Sequence, residues 1–174
     1  MRKLHTKGKN NRENNANRTF NKLLKISLII GIFVVSGFTI YYILKPEPGY
    51  YIFGILNSEK RAENYPTNST VGENVSVYCT VGNYLNRDLT FHVKVLRGDN
   101  TTIKKPEGSI NATFLYNTSR ITLNHKKTWV SERLNVSFPL PGPDQSIIVE
   151  LWEIHSNNNE TYLEILWVIL TIFP

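Results

Sequence analysis

The sequence predicts an all-β fold, an immunoglobulin-like β-sandwich ectodomain preceded by one transmembrane α-helix and a disordered basic N-terminal tail. Three observations support this prediction. Residues 1–25 carry eight Lys and Arg against one Glu, a net charge of +7, whereas the rest of the chain sums to −1. Residues 26–44 form a run of 19 residues without a charge. Beyond this run, short stretches in which apolar and polar residues alternate recur, as is typical of half-buried strands.

Residues 1–22 are rich in Asn, Lys and Arg and contain few large apolar residues. Such a segment buries too little surface to offset the entropy of ordering, so we expect a disordered basic cytoplasmic tail. Basic residues bind either nucleic acid or anionic lipids. Phe20 is the one aromatic residue in this segment, and a basic tail beside a membrane span favours anionic lipids of the inner leaflet. We therefore expect no nucleic-acid partner.

The segment 23–44 is predicted to be a transmembrane helix. Its uncharged run of 19 residues would span about 28 Å as a helix, close to the thickness of a bilayer core. The apolar region of a cleavable signal peptide is usually about 7–15 residues long and ends in a small-x-small site, which this segment lacks. We expect an uncleaved signal anchor. The positive-inside rule predicts a single-pass protein of the cell membrane with a cytoplasmic N-terminus and an extracellular C-terminal domain.

Residues 45–49 form a short linker stiffened by Pro46 and Pro48, because proline fixes its own φ and restricts the residue before it. The outer domain, 50–174, reads as about seven strands. The clearest strands are predicted at 75–81, 89–96, 129–138, 147–152 and 162–173. Residues 82–88 and 139–143 are predicted to form turns, and residues 156–159 are predicted to form the tip of a hairpin.

The motif Asn-x-Ser/Thr marks N-glycosylation acceptors in exposed segments outside the cell. From the composition of residues 45–174, chance gives about two such sites, and the sequence holds seven. This enrichment predicts an N-glycosylated outer domain. The acceptors are Asn68, Asn74, Asn100, Asn111, Asn117, Asn135 and Asn159. Asn17 also matches, but it precedes the span and is expected to stay unmodified.

No pattern of catalytic residues is apparent. The single cysteine, Cys79, excludes an intrachain disulfide or a cysteine-based zinc cluster, and we expect it to be a small buried residue. His92, His125 and His155 lack metal-ligand spacing, and a histidine on an alternating strand is usually exposed. Glu150 and Glu153 flank Trp152 and are interpreted as the solvated side of a strand. The sequence therefore predicts no enzyme, no catalytic or metal site and no cofactor.

Residues 50–170 resemble an uncharacterised archaeal family of membrane-anchored domains of unknown function. The resembling stretches are Tyr51-Ile52-Phe53-Gly54-Ile55-Leu56, Ala62-Glu63-Asn64-Tyr65-Pro66, Val71-Gly72-Glu73-Asn74, Trp129, Pro141-Gly142-x-x-Gln145 and Tyr162…Leu166-Trp167-Val168. The resemblance implies an extracellular β-sandwich outside the membrane. It implies no activity.

The predicted function is that of a protein-interaction, accessory or structural subunit of a membrane or cell-envelope assembly, with a protein partner. The alternative is an extracellular carbohydrate-binding module that uses Trp129, Trp152 or Trp167 as a stacking platform. The closing strand is apolar on both sides, whereas an outer strand of a sandwich normally alternates with polar residues. Either this strand is central and covered on both faces, or one face is a contact site for another subunit or the membrane surface. We favour the contact site and predict a partner surface, formed by Leu166, Val168, Leu170 and Ile172.

Overall fold

The computed structural model describes the backbone of residues 7–45 and 48–174, and within those ranges the side chains from residue 17 onward. The chain divides into two compact units, Met1–Glu47 and Pro48–Pro174. The first unit contains one helix, and the second contains the strands.

Helix α1 runs from Lys7 to Leu44. Its part Asn17–Leu44 is long and apolar enough to cross a membrane, and its side chains are exposed. Residues 7–22 are therefore helical, which corrects the predicted disorder for this part of the tail. Because elongating an existing helix needs no new nucleus, a polar segment without proline continues the apolar one. Residues 1–6 of the predicted tail and residues 46–47 of the predicted linker lie outside the described residues.

The second unit contains twelve strands within the described residues 48–174, more than the seven or so that the sequence predicts. They are β1 (Tyr50–Leu56), β2 (Asn68–Thr70), β3 (Asn74–Tyr84), β4 (Leu89–Gly98), β5 (Ile103–Lys105), β6 (Gly108–Ile110), β7 (Thr113–Asn117), β8 (Ile121–Leu123), β9 (Lys127–Val130), β10 (Leu134–Ser137), β11 (Gly142–Ile154) and β12 (Glu160–Phe173).

Two sheets form a β-sandwich. The four-stranded sheet has the order β1-β3-β10, and β9 pairs with β3 beside β10. The six-stranded sheet has the order β2-β12-β11-β4-β7, and β8 pairs with β4 beside β7. Strands β5 and β6 form a separate two-stranded hairpin. All pairs are antiparallel except β2 with β12, which is parallel.

The core lies between the two large sheets and is built from alternate residues of their strands. Val77, Cys79 and Val81 contribute from β3, and Leu89, Phe91, Val93 and Val95 contribute from β4; all seven side chains are fully buried. The prediction that Cys79 is buried is therefore confirmed. Burial raises the pKa of its thiol to about 12, so the thiolate is suppressed in the folded domain.

Several predicted boundaries change. Strand β3 continues to Tyr84, so the predicted turn at 82–88 is shortened to its second half. The predicted strand 129–138 is interrupted at Ser131, between β9 and β10. The Ser131 N–H donates to the Cys79 carbonyl, and the Cys79 N–H donates to the Ser131 hydroxyl oxygen. Strand β11 begins at Gly142, since Pro143 is tolerated near the start of a strand. The hairpin tip at 156–159 is confirmed by the His155 N–H, which donates to the Asn159 carbonyl at 2.9 Å.

The turn after β3 is organised by Asn83, whose side chain is fully buried. Its Nδ2 donates to the carbonyls of Arg87 and Leu123, both at 2.7 Å. Its Oδ1 accepts from the Leu85 N–H at 2.9 Å. One amide side chain thus satisfies three backbone groups where β3, β4 and β8 meet, which fixes this end of the sandwich.

Candidate interaction surface on the six-stranded sheet

The outer face of the six-stranded sheet points away from the core, and the strand register shows which residues share it. Trp167 of β12 lies opposite Ile148 of β11, and Ile148 lies opposite Leu96 of β4. Leu96 is in turn opposite Phe114 of β7. Residues directly opposite one another in a sheet point to the same side, so an apolar row crosses four strands on this face.

Residues 99–112 form a flap that carries β5 and β6 and lies over this outer face. The chain leaves β4 at Gly98, where a Cβ atom would lie 2.6 Å from Ser146 Oγ and 2.8 Å from Ile148 Cδ1. A larger residue at position 98 would force the Ser146 and Ile148 side chains to move. At the other end of the hairpin, Gly108 has a positive φ of 119°. The flap explains why Ile148, Leu96 and Ser146 are buried although they point away from the core.

The flap is held by a buried carboxylate. Glu150 is only 4% exposed, and its Oε1 accepts from the backbone N–H and the hydroxyl of Ser109, both at 2.7 Å. Its Oε2 accepts from Trp152 Nε1 at 3.1 Å. The interpretation of Glu150 as part of a solvated side is therefore wrong. Such charge-assisted hydrogen bonds are stronger than neutral ones, so Glu150 ties the flap to the sheet.

A polar and aromatic cluster continues along the same face. Lys94 Nζ lies 3.7 Å from the centroid of the Trp152 ring and 3.2 Å from Glu160 Oε2. The Trp152 and Tyr162 rings meet edge to face at 5.5 Å. Burial and the neighbouring Glu150 carboxylate raise the pKa of Tyr162 to about 12. Lys94 thus covers one side of Trp152, and this ring is not a free platform.

His92 belongs to this cluster and is 6% exposed, which corrects the expectation that it lies on the surface. Burial lowers its pKa, and the nearby Lys94 and Arg120 charges act in the same direction, while Glu160 opposes them. Its Nδ1 lies 3.7 Å from Glu160 Oε1. Nε2 has no hydrogen-bond partner among the described residues. The neutral imidazole is therefore favoured in the folded domain.

The exposed apolar part of the face lies on β12. Trp167 is 44% exposed and Ile169 is 50% exposed. Lys104 of the flap places its Nζ 5.7 Å from the Trp167 ring centroid. Further exposed apolar side chains are Ile103 and Ile110 of the flap and Phe114 of β7. An exposed apolar surface of this kind is typical of an interaction site.

The predicted partner surface lies on the wrong side of β12. Val168, Leu170 and Ile172 are buried in the core, and Leu166 packs against it. The register that places Trp167 on the outer face directs the alternate residues toward the four-stranded sheet. Both sides of β12 are apolar because one side forms the core and the other carries the exposed residues beside the flap.

Glu153, the second carboxylate beside Trp152, is also buried. It forms a two-point ion pair with Arg87, in which Nη1 contacts Oε1 and Nη2 lies 3.0 Å from Oε2. The pair lines a polar cleft of about 410 Å³ beside the β11–β12 hairpin tip. In the same cleft, Arg120 Nη2 donates to Asn158 Oδ1 at 2.9 Å. Because Arg87 and Arg120 each already have a partner, the cleft presents hydrogen-bonding groups to a ligand and little free positive charge.

The remaining predicted positions are distributed over the sandwich. Trp129 packs edge to face on Phe91 at 5.4 Å. Trp167 is the most exposed of the three tryptophans.

Within residues 17–45 and 48–174, no group of three or more His, Cys, Asp and Glu side chains is arranged to hold a metal ion. All seven acceptor asparagines, 68, 74, 100, 111, 117, 135 and 159, are exposed.

The family model for a domain of unknown function (DUF1616) matches residues 36–168. None of the curated proteins matches the chain. Among solved structures, the CARDB domain of a Pyrococcus furiosus protein, in complex with di-metal ions, is 16% identical with a TM-score of 0.46. That alignment covers 75% of this chain and 93% of the other.

Two further structures are similar. The C-terminal domain of Wzt is 13% identical, with a TM-score of 0.45 and coverage of 75% of this chain and 80% of the other. A β-glucosidase from Erythrobacter marinus is 11% identical, with a TM-score of 0.43, over 72% of this chain and 16% of the enzyme. At these identities the likeness concerns the fold alone.

Proposed function

We propose that this chain, which belongs to the DUF1616 family, is a single-pass, N-glycosylated surface protein whose immunoglobulin-like β-sandwich binds another protein of a membrane or envelope assembly. The N-terminal helix would anchor it with the N-terminus in the cytoplasm, where the basic residues before the span would meet anionic lipids. In this proposal the domain acts by binding and not by catalysis.

The observation that carries the proposal is the exposure of all seven acceptor asparagines. Of the seven asparagines outside the motif in residues 48–174, Asn57 and Asn83 are buried and the other five are exposed. An acceptor has to be accessible on the outer side, and all seven candidates meet that condition in the folded domain. The excess over chance supports an extracellular position for residues 48–174, in agreement with the distribution of charge around the helix.

Asn17 provides an internal control for the topology, because it has the same motif on the opposite side of the apolar segment. Mass spectrometry of the protein from native membranes is expected to find glycans on most of the seven outer sites and none on Asn17. A glycan on Asn17 together with seven unmodified outer sites would show that the chain has the opposite orientation in the membrane. Absence of glycans from all eight would contradict the glycosylated ectodomain.

The binding role is supported by the exposed apolar residues Trp167 and Ile169 on the outer face of the six-stranded sheet. The rival is a carbohydrate-binding module, which Trp167 favours because its ring is partly exposed beside Lys104. A pull-down of the full chain from detergent-solubilised membranes tests the first role, and a glycan array tests the second. A stoichiometric protein partner supports protein binding. Glycan retention that is lost in Trp167→Ala supports the module instead.

A further inference from the structure

The open edge of β12 deepens the proposed function, because its backbone groups define what kind of partner segment fits there. Thr171 N–H donates to the Thr67 carbonyl at 2.9 Å, and Val71 N–H donates to the Phe173 carbonyl at 2.9 Å. The odd-numbered residues at this end of β12 therefore direct their backbone groups away from β11. The register of β12 against β11 is unbroken from Leu170 back to Glu164.

By the same two-residue alternation, Ile165, Trp167 and Ile169 also direct their N–H and C=O groups toward the open edge. Strand β2 pairs with β12 only at Thr171–Phe173. Within residues 48–174, no hydrogen-bond partner is found for the outward backbone groups of these three residues. Tyr51 Oη donates to the Leu163 carbonyl at 3.3 Å and marks the other limit. We call this open stretch, residues 165–169, the edge slot.

The edge slot lacks the usual protection of an exposed strand. Natural edges are blocked by charges, proline, bulges or short length. Residues 165–170 read Ile-Leu-Trp-Val-Ile-Leu, without a charge or proline. The side chains of Trp167 and Ile169 stand exposed beside the slot. This edge therefore combines unpaired backbone groups with adjacent apolar side chains.

We propose that the edge slot receives an extended segment of a different protein, which adds a strand to the six-stranded sheet beside β12 and in line with β2. This inference rests on the proposed protein-binding function. Donors and acceptors that repeat every second residue are complementary to an extended polypeptide backbone. The segment's alternate side chains would contact Trp167 and Ile169 on the outer face, and the site is continuous with the existing β2–β12 pairing.

A second copy of the chain fits the slot poorly. Two-fold pairing of β12 with itself would be antiparallel. Tyr51 contacts Leu163, so the start of β1 lies at the same end of the sandwich as the start of β12. Antiparallel pairing would place the two β1 starts at opposite ends of the joint sheet. In the proposed anchoring, where a linker of five residues would hold each domain near one membrane, two chains would not fit that arrangement.

Amide hydrogen exchange on the purified full chain in detergent tests the premise. The N–H groups of residues 166, 168 and 170 point toward β11 and are expected to be protected. Those of 165, 167 and 169 are expected to exchange at least about tenfold faster, because no partner holds them. Equal protection of all six would show that the edge is already paired and would overturn the proposal.

Photocrosslinking in native membranes tests the occupant. A photoreactive residue at Trp167 is expected to crosslink to one segment of one other protein, and the same residue at Val130, exposed on β9, serves as the control position. Ile169→Pro removes an outward N–H and is expected to lower the crosslink yield about tenfold or more, the effect of losing one hydrogen bond plus a steric block. Ile169→Ala keeps the N–H and removes only a side-chain contact, so it is expected to lose clearly less crosslink than Ile169→Pro.

The outcomes separate the edge slot from the broader function. A crosslink only from Val130 supports protein binding but overturns the edge slot. Crosslinks from neither position contradict both. Crosslinks from Trp167 to lipid or to a second copy of the chain overturn the edge slot. So does a crosslink yield from Trp167 that is unchanged in Ile169→Pro. Folding is monitored through Cys79, which must stay unreactive in Ile169→Pro; if its thiol reacts, the Ile169 N–H is needed within the fold and the proposal fails.

Discussion

Two adjacent residues of β12 allow a sharp test of which face of this strand is structural. Leu170 is 2% exposed in the core, and its neighbour Ile169 is 50% exposed on the opposite face. We predict that Leu170→Ala strongly destabilises the β-sandwich and that Ile169→Ala does not. Truncation of a buried leucine costs about 2–5 kcal/mol, because transfer and cavity contributions add. That is a large part of the roughly 5–15 kcal/mol that stabilises a typical domain.

For Ile169, about half of the side chain is already in water. Full burial of an isoleucine is worth about 1.5–3 kcal/mol, so its loss should cost about 1 kcal/mol with little cavity formation. In a domain of this size, 1 kcal/mol corresponds to a shift in Tm of about 4 °C. We therefore expect Tm to fall by about 8–20 °C in Leu170→Ala and by about 4 °C or less in Ile169→Ala.

The assay should report on the sandwich and not on the N-terminal helix. Alkylation of Cys79 in the full chain during a temperature ramp does so, because this thiol is buried in the β core. Equal loss of stability in the two variants, or an unchanged Tm in Leu170→Ala, would show that the two faces of β12 are wrongly assigned. Joint replacement of Leu166, Val168 and Leu170 by Ser is likewise expected to unfold the domain and not merely to release a partner, because these side chains pack in or against the core.

Three more outcomes are expected. Asn83→Ala should destabilise the domain by about 3 kcal/mol in urea titrations, because three backbone groups lose their partner; unchanged stability would contradict the assigned hydrogen bonds. His92 has a lowered pKa in the fold, so the unfolded chain binds more protons and stability should decline as the pH falls below 6.5; His92→Gln should show a shallower decline, and an identical pH profile would refute this role. Cys79, with a thiol pKa of about 12, should resist iodoacetamide at pH 8 until urea unfolds the domain, and labelling under native conditions would argue against its burial.

Long strands with regular alternation could be predicted from the sequence. Strands β3, β4 and β12 combine length with a clear apolar pattern, and their centres lie where the pattern predicts. Strands β2, β5, β6 and β8 have three residues each, and so short a segment carries no usable period. Their pairing depends on neighbours that are distant in sequence. Strand β2 shows this most clearly, because its three residues pair with the last strand of the domain.

The environment of the outer face could not be predicted in the same way. Alternation identifies two faces of β12 but does not identify the buried one when both are apolar. For Glu150 and His92, a period-2 pattern assigns the side away from the core and therefore predicts exposure. The flap, an excursion between β4 and β7, covers Glu150, and nothing in the local sequence of β11 indicates where it folds. His92 instead lies near charged side chains from three different parts of the chain, Lys94, Arg120 and Glu160. The close approach of the chain at Gly98 to Ser146 and Ile148 is visible only in the structure.

The acceptor asparagines and the edge slot place joint limits on what can bind. Asn68 pairs with Thr171 at one end of β12, and Asn159 precedes the first residue of β12 at the other. Asn74, Asn100, Asn111, Asn117 and Asn135 lie on other strands and loops. Glycans at Asn68 and Asn159 would flank the slot, whereas the slot itself, residues 165–169, contains no acceptor. A glycosylated domain would therefore admit a short extended segment lying along β12 more readily than a broad protein surface. Removing the acceptor by Asn68→Gln should widen access at the β2 end without changing the hydrogen bonds that the slot offers.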